Sequence, residues 1–182
     1  SQLLGQTALD ESQKDYLKKV EASARVLLSI LNDILDFTKI TEGKVDIEQI
    51  EFDIKEVVDT LQTLIADRAE KKGLDFEFKI APGLPSNYIG DPLRIEQILL
   101  NFLTNAIKFT DNGKVSLIIK GKAISNNNFS ISFSVKDSGI GLTKKQIKKV
   151  FEVFTQADGS TTRKYGGTGL GLSIVKHSAE TL

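Results

Sequence analysis

Residues 97–110 constrain the fold of this chain more than any other stretch. The apolar residues of this segment recur with helical spacing and form one broad face: Ile98, Leu99, Phe102, Leu103, Ala106 and Ile107. Asn101, Asn105 and Lys108 recur at i, i+4 and i+7, so they share another line along the same helix. Two amides and an ammonium on one line suit a hydrated metal ion and phosphate oxygens, although a solvated polar stripe would explain them equally well on their own.

Two glycine-bearing segments follow this helix in the sequence. Residues 137–141, Asp-Ser-Gly-Ile-Gly, come directly after an alternating run at 129–135, which predicts a strand that ends in a tight loop. Residues 166–172, Gly-Gly-Thr-Gly-Leu-Gly-Leu, open an apolar run. Glycines there allow close backbone approach, and a helix N-terminus favours anions. Residues 151–156, Phe-Glu-Val-Phe-Thr-Gln, lie between them. One G-x-G is more often just a turn, but the asparagine-bearing helix, the two glycine segments and residues 151–156 together, in this order, form a specific pattern.

The four segments resemble the N, G1, F and G2 boxes of sensor histidine kinases, within the wider GHKL ATPase superfamily. Residues 29–40 resemble the end of the second helix of that family's dimerisation hairpin, in the style of the hybrid kinases. The resemblance implies an α/β two-layer sandwich of the Bergerat ATP-binding type, with a mixed sheet covered by helices. It also implies a preceding α-helical hairpin that dimerises as a four-helix bundle. The hairpin is expected in residues 1–42, with its first helix truncated, and the catalytic domain in residues 45–182, without its terminal strands.

The resemblance also implies ATP and Mg²⁺ as cofactors and gives roles to Asn101, Asn105 and Lys108. Asn105 matches the asparagine that holds Mg²⁺, and an amide oxygen is a hard neutral donor. Asn101 matches the position where the hydrolytic relatives carry a glutamate base. Because an amide cannot activate water, Asn101 favours phosphoryl transfer to a protein group over hydrolysis. Lys108 is expected to contact phosphate, and Phe109 either lines the adenine pocket or belongs to the core.

The glycine segments receive their roles from the same resemblance. Asp137 is expected to accept a hydrogen bond from the adenine amino group, while Gly139 and Gly141 keep side chains out of the base pocket. On spacing alone, a plain Asp-Ser-Gly turn remains an alternative. The phosphate cradle is expected from Gly167, Thr168, Gly169, Leu170, Gly171 and Leu172, with Arg163 and Lys164 as mobile cationic helpers. Residues 156–165 are polar and predict a mobile loop.

A heptad seam runs through a long helix predicted at residues 10–40. Asp10 can act as its N-cap, with Gln13 reaching back. The seam alternates steps of three and four through Leu17, Val20, Ala24, Leu27, Leu31, Ile34 and Thr38. Leu28 and Leu35 widen it beyond a two-stranded coil and indicate a four-helix bundle. The seam therefore predicts a homodimer, and a core helix that packs on its own domain is the alternative.

Local signals predict the remaining elements. They are a weak strand within 45–54, a helix over 53–72 stopped by Gly73, a strand over 74–80, a helix capped by Asp91 with Pro92 at N1, hairpin strands at 114–123 and 129–135, a helix from the Thr143 cap to about Phe154, and a last helix from near Leu170. The family normally continues with two further strands after that last helix.

Composition excludes several classes of function. The chain has 182 residues, a formal net charge of zero and no cysteine, so it offers no global field for nucleic acid or anionic membrane and no thiolate chemistry. No apolar run approaches the roughly 20 residues that span a bilayer, and no signal peptide is visible. A cytoplasmic location is expected, and any membrane segments of a parent receptor would lie outside this chain.

The predicted function is the catalytic core of a two-component sensor histidine kinase. Such a core passes the γ-phosphoryl group of Mg-ATP to a histidine and from there to an aspartate of a response-regulator receiver domain. The alternatives are a GHKL ATPase that hydrolyses ATP and a nucleotide-sensing scaffold without transfer. His177 is the only histidine and is interpreted as a surface or packing residue. In the family that this chain resembles, the acceptor lies in the first hairpin helix, and residues 1–6 resemble the end of that helix. The resemblance therefore implies an acceptor upstream of Ser1, and this chain is expected to bind ATP without phosphorylating itself.

Overall fold

The computed structural model describes residue 7 and residues 9–41, 47–125, 128–152 and 171–181. The chain divides into two compact units, Ser1–Val45 and Asp46–Leu182. The assignment of residues 1–42 and 45–182 as functional domains stays a prediction. Every helix in the described part of the chain is too short or too polar for a bilayer span.

The first unit contains one described helix, α1 (Glu11–Thr41), which confirms the predicted helix. Its start is the predicted capping box, because Gln13 N donates to Asp10 Oδ1 at 2.8 Å and Asp10 N donates to Gln13 Oε1 at 3.0 Å. Large apolar side chains of its seam are exposed, namely Val20, Leu27, Leu28, Leu31, Ile34 and Leu35. The predicted first helix of the hairpin falls on residues 1–6, which lie outside the described residues.

The second unit mixes strands and helices. Its elements are β1 (Ile50–Asp53), α2 (Ile54–Lys71), β2 (Asp75–Ile80), β3 (Asn87–Gly90), α3 (Pro92–Phe109), β4 (Lys114–Ala123), β5 (Phe129–Asp137), α4 (Lys144–Lys149) and α5 (Gly171–Thr181). Strand β4 is the centre of a three-stranded sheet, parallel to β2 and antiparallel to β5. Strands β1 and β3 form a separate antiparallel pair. The mixed sheet with covering helices confirms the predicted fold class.

The core of this unit lies between the two long helices and the central strand. Leu61 and Ile65 of α2 and Leu103 of α3 are fully buried. They belong to one apolar cluster with the buried β4 residues Val115, Leu117 and Ile119. Burial of each such side chain contributes about 1.5–3 kcal/mol, so the apolar face of α3 is held firmly. This packing fixes the rotation of α3 and therefore the direction of its line of polar side chains.

The structure corrects the predicted elements in two places. Strand β3 was not predicted, yet all four of its residues pair with β1, from Asn87 with Asp53 to Gly90 with Ile50. The helix capped by Thr143 ends at Lys149 instead of near Phe154. It has no buried residue, so packing does not extend it beyond the stretch that its capping box starts.

Candidate functional site

The start of α3 is fixed by a buried cap. Asp91 is only 3% exposed, and its Oδ1 accepts a hydrogen bond from Arg94 N at 3.0 Å. Its Oδ2 accepts a second bond from Glu48 N at 3.3 Å. Pro92 follows at the first helical position, where its missing N–H leaves no intrahelical bond unmade. The polar line of α3 therefore extends from a well-defined helix start.

Asn101 and Asn105 are joined directly. Asn105 Nδ2 donates to Asn101 Oδ1 at 3.0 Å, and both side chains are half-buried. This bond uses the amino group of Asn105 and turns its carbonyl oxygen away from Asn101. That oxygen is a hard neutral donor, which fits a magnesium ion that takes one protein ligand and keeps waters and phosphate oxygens for its other positions.

Lys108 and Phe109 end the same helix. Lys108 Nζ lies 5.0 Å from the centroid of the Phe109 ring, within the range of a cation–π contact. Burial lowers the pKa of Lys108 below its usual value. The ammonium is therefore partly desolvated, which strengthens its attraction for an anion that reaches it.

The loop that carries Asp137 contacts the end of α3. Asp137 is the exposed last residue of β5, and its Oδ1 accepts a hydrogen bond from Gly139 N at 2.9 Å. A Cβ atom on Gly139 would overlap the carbonyl oxygen of Phe109. Ile140 N donates to that same carbonyl at 3.3 Å. Glycine at 139 thus lets the loop approach the helix closely. Gly141 has a backbone φ of 66°, a left-handed conformation that glycine adopts more readily than other residues.

The start of α5 lies beside Asn101. A Cβ atom on Gly171 would stand 2.6 Å from Asn101 Nδ2, so a side chain there would displace the amide. Leu172 is half-buried in the first turn of α5. The other residues predicted for the phosphate cradle lie outside the described residues: Arg163, Lys164, Gly167, Thr168, Gly169 and Leu170. The predicted mobile loop at 156–165 and Phe154 lie there too, while Phe151 is exposed.

Two further residues bear on the site. His177 Nδ1 lies 2.9 Å from the carbonyl oxygen of Ser173, one turn earlier in α5, and its ring is half-buried, as a packing residue would be. Lys72 was missed by the sequence analysis. Its Nζ donates to three carbonyl oxygens at the end of α3, although nothing in its local sequence distinguishes it from an ordinary lysine at a helix end.

Comparison with known proteins matches two regions of the chain to protein families. Residues 90–182 match the sequence model of the histidine kinase-, DNA gyrase B-, and HSP90-like ATPase family. Residues 1–43 match the His Kinase A (phospho-acceptor) domain.

Individual relatives extend over both matches. The signal transduction histidine-protein kinase BarA of Escherichia coli strain K12 is 42% identical over 170 residues, which cover 93% of this chain and 18% of BarA. Hybrid signal transduction histidine kinase B of Dictyostelium discoideum is 41% identical over 174 residues, which cover 96% of this chain and 9% of that protein. The chain therefore spans 18% or less of the length of these two relatives.

A solved structure gives the same result. The crystal structure of full-length ShkA in complex with AMPPNP matches with a TM-score of 0.81 at 33% sequence identity, over 98% of this chain and 36% of that one. The relatives and the family models point to the same protein family. The chain belongs to the histidine kinase-, DNA gyrase B- and HSP90-like ATPase family, and its relatives include a signal transduction histidine-protein kinase and a hybrid signal transduction histidine kinase.

Proposed function

We propose that this chain is the ATP-binding catalytic core of a two-component sensor histidine kinase, which binds Mg-ATP and delivers the γ-phosphoryl group to a histidine. One observation carries the proposal: two separate glycine segments converge on α3. Gly139 approaches its last residue, and Gly171 approaches Asn101. The amide of Asn101 is linked by a hydrogen bond to that of Asn105, one turn further along the same helix. The ShkA structure, at 33% identity, holds AMPPNP, an analogue of ATP, which supports the same ligand here.

Each described polar group then has a role in binding. Asn105 Oδ1 would hold Mg²⁺, which neutralises phosphate charge when it is bound. Lys108 would attract phosphate oxygens with its partly desolvated ammonium. Asp137 would accept the hydrogen bond of the adenine amino group, while Gly139 and Gly141 leave room for the base. The segment that includes Gly167, Thr168, Gly169 and Leu170 would cradle the phosphates, aided by Arg163 and Lys164.

Two features favour transfer over hydrolysis. Asn101 has no basic group that could take a proton from water, and its Oδ1 already accepts a hydrogen bond from Asn105. The match to a phospho-acceptor domain covers residues 1–43, a stretch without histidine. The chain's single histidine, His177, bonds within its own helix. The acceptor histidine is therefore a group that this stretch does not supply.

The proposal also names partners. The exposed seam of α1 supports a homodimer, because those side chains would be buried by a second copy. The hybrid kinases among the relatives support a response-regulator receiver domain, whose aspartate would take the phosphoryl group from the histidine. We place this chemistry in the cytoplasm, where ATP is supplied. Neither nucleic acid nor direct membrane contact enters the proposal, since the chain has no net charge.

Binding is tested by titration with a fluorescent ATP analogue in the presence of Mg²⁺. Asn105→Ala and Asp137→Ala should each weaken binding at least about tenfold, a loss of roughly 1.4 kcal/mol. Matched controls are Asn87→Ala, whose side chain bonds Glu51, and Asp67→Ala, whose carboxylate pairs with Lys71 on the surface of α2. The controls should bind like the parent chain. Parent-like affinity in both site variants would refute the assignment.

A second arm of the same experiment addresses the chemistry. With γ-labelled ATP, the chain should release no phosphate above the buffer rate and acquire no acid-labile label. Phosphate release that depends on Asn105 would favour the hydrolytic alternative. Robust label that is abolished by His177→Gln would contradict the proposed direction of transfer.

A further inference from the structure

We infer that Lys72 is a positioning residue of the nucleotide site, a role that rests on the proposed function. Its ammonium donates hydrogen bonds to the carbonyl oxygens of Ile107 at 2.8 Å, Lys108 at 3.0 Å and Thr110 at 3.1 Å. An ammonium has three protons, so these three bonds use all of its donors. Lys72 therefore binds the end of the helix that carries Asn101 and Asn105.

The backbone of Lys72 is itself held in place. Lys72 is the C-cap of α2, and its N–H donates to Ala69 O at 3.1 Å. The chain then turns through Gly73, whose φ is 65°, and Leu74 N donates back to Ala69 O at 3.0 Å. Leu74 is buried and joins the core cluster. The base of the Lys72 side chain thus has a fixed position relative to α2.

The chemistry of a helix end explains why a cation is needed there. The last carbonyls of α3 have no intrahelical partner, and they form the negative end of the helix dipole. Lys72 Nζ meets that end, and Asp111 Oδ1 lies 4.0 Å away from the same ammonium. A neutral side chain at position 72 would leave those carbonyls without this donor, and the last turn of α3 would loosen.

This last turn is also the attachment point of the loop that carries Asp137. Lys72 Nζ donates to the carbonyl oxygens of Ile107, Lys108 and Thr110. The intervening carbonyl oxygen of Phe109 accepts a hydrogen bond from Ile140 N. One turn of backbone thus fixes both the position of the Lys108 Cα atom and the position of the loop that carries Asp137. Through it, Lys72 fixes the distance between the phosphate-binding and base-binding parts of the site, without any contact to the nucleotide itself.

Affinity measurements test this role with neighbouring lysines as a matched pair. Lys72→Met should raise the Kd for Mg-AMPPNP about tenfold, and Lys72→Arg, which keeps a cation with several donors, should return it to within about threefold of the parent value. The control is Lys71→Met. Lys71 is one residue away, and its ammonium pairs with Asp67 on an exposed face at 2.6 Å, so its loss should leave the Kd unchanged.

Amide hydrogen exchange followed by NMR separates positioning from general stability. In Lys72→Met, the Ile140 amide should exchange faster, while amides of the α2 core around Leu61 should keep their protection. A merely structural role would lower protection evenly and leave the Kd of the folded chain unaltered. If Lys72→Met does not fold, Lys72→Gln, which keeps two donors, should show the same local change.

The outcomes are distinguishable. Parent-like affinity together with unchanged Ile140 exchange in the Lys72 variants would overturn the inference. Failure of the parent chain to bind AMPPNP would instead refute the proposed function, whereas the exchange of Ile140 would still report whether Lys72 holds the loop.

Discussion

Helices α1 and α3 carry similar apolar stripes but differ sharply in what covers them. On α3, Leu99 is 2% and Leu103 is 0% exposed. On α1, Leu27 is 65% and Leu31 is 53% exposed. Helix α2 and the sheet of the same unit together cover the stripe of α3, whereas the seam side chains of α1 are exposed in the single chain. An apolar stripe therefore predicts a helix without deciding whether the surface that buries it belongs to the same chain or to a second copy.

The largest expected difference between the two stripes is in folding stability. Leu103→Ala should lower the free energy of unfolding by about 2–5 kcal/mol, because it leaves a cavity in a closed core. Leu27→Ala, measured by urea unfolding at concentrations low enough to favour monomer, should change it by less than about 1 kcal/mol. Equal losses at the two positions would mean that α1 is buried in the monomer and would remove the distinction.

The next effect concerns association. Leu27→Asp combined with Leu31→Asp should turn a dimer at tens of micromolar into a monomer in sedimentation experiments, because charges would have to be buried in the bundle. Lys18→Asp produces the same total change in net charge on an exposed part of α1 outside the seam, so it should leave the dimer intact. The double variant should retain the parent's urea midpoint for the α/β unit. A parent chain that is monomeric at these concentrations would contradict the dimer proposal.

The smallest effect is expected at the helix caps. Asp91→Ala should destabilise the α/β unit by about 1–2 kcal/mol, since a buried carboxylate that serves two backbone amides is lost. Asp10→Ala removes an exposed cap and should cost about 0.5 kcal/mol, seen as fraying of α1 by circular dichroism. If Asp10→Ala lowered stability more than Asp91→Ala, the start of α1 would contribute to stability through contacts outside this helix.

Local patterns predicted the elements whose signals lie within one turn or one strand. The pairing of Asn101 with Asn105 is an i, i+4 contact, so spacing alone brings these side chains together. The Asp10, Asp91 and Thr143 caps were predicted for the same reason and are confirmed. The helix that begins after Thr143 was predicted too long, and its one apolar residue, Ile147, is exposed, so burial does not stabilise a longer helix.

Features built from distant residues were not predictable in this way. Strand β3 has only four residues, and its partner β1 is separated from it by α2 and β2. Lys72 donates hydrogen bonds to carbonyl oxygens that lie 35 to 38 residues further along the chain. A lysine at a helix end usually stays in solvent. The roles of the site residues, in contrast, came from the family resemblance and remain proposals that the binding experiments test.

The parallel pairing of β2 with β4 governs when the site can form during folding. These strands pair from Asp75 with Lys114 to Ile80 with Ile119, and the chain between them, residues 81–113, contains α3. The entropy of closing that long loop opposes folding before the strand contacts stabilise it, so non-local pairing of this kind is slow. Helix α3 can form by itself within microseconds, but its core face gains the buried contacts with Val115, Leu117 and Ile119 only when β4 is in register. Nucleotide-binding competence should therefore appear late in refolding, together with the last cooperative phase and well after helical signal has returned.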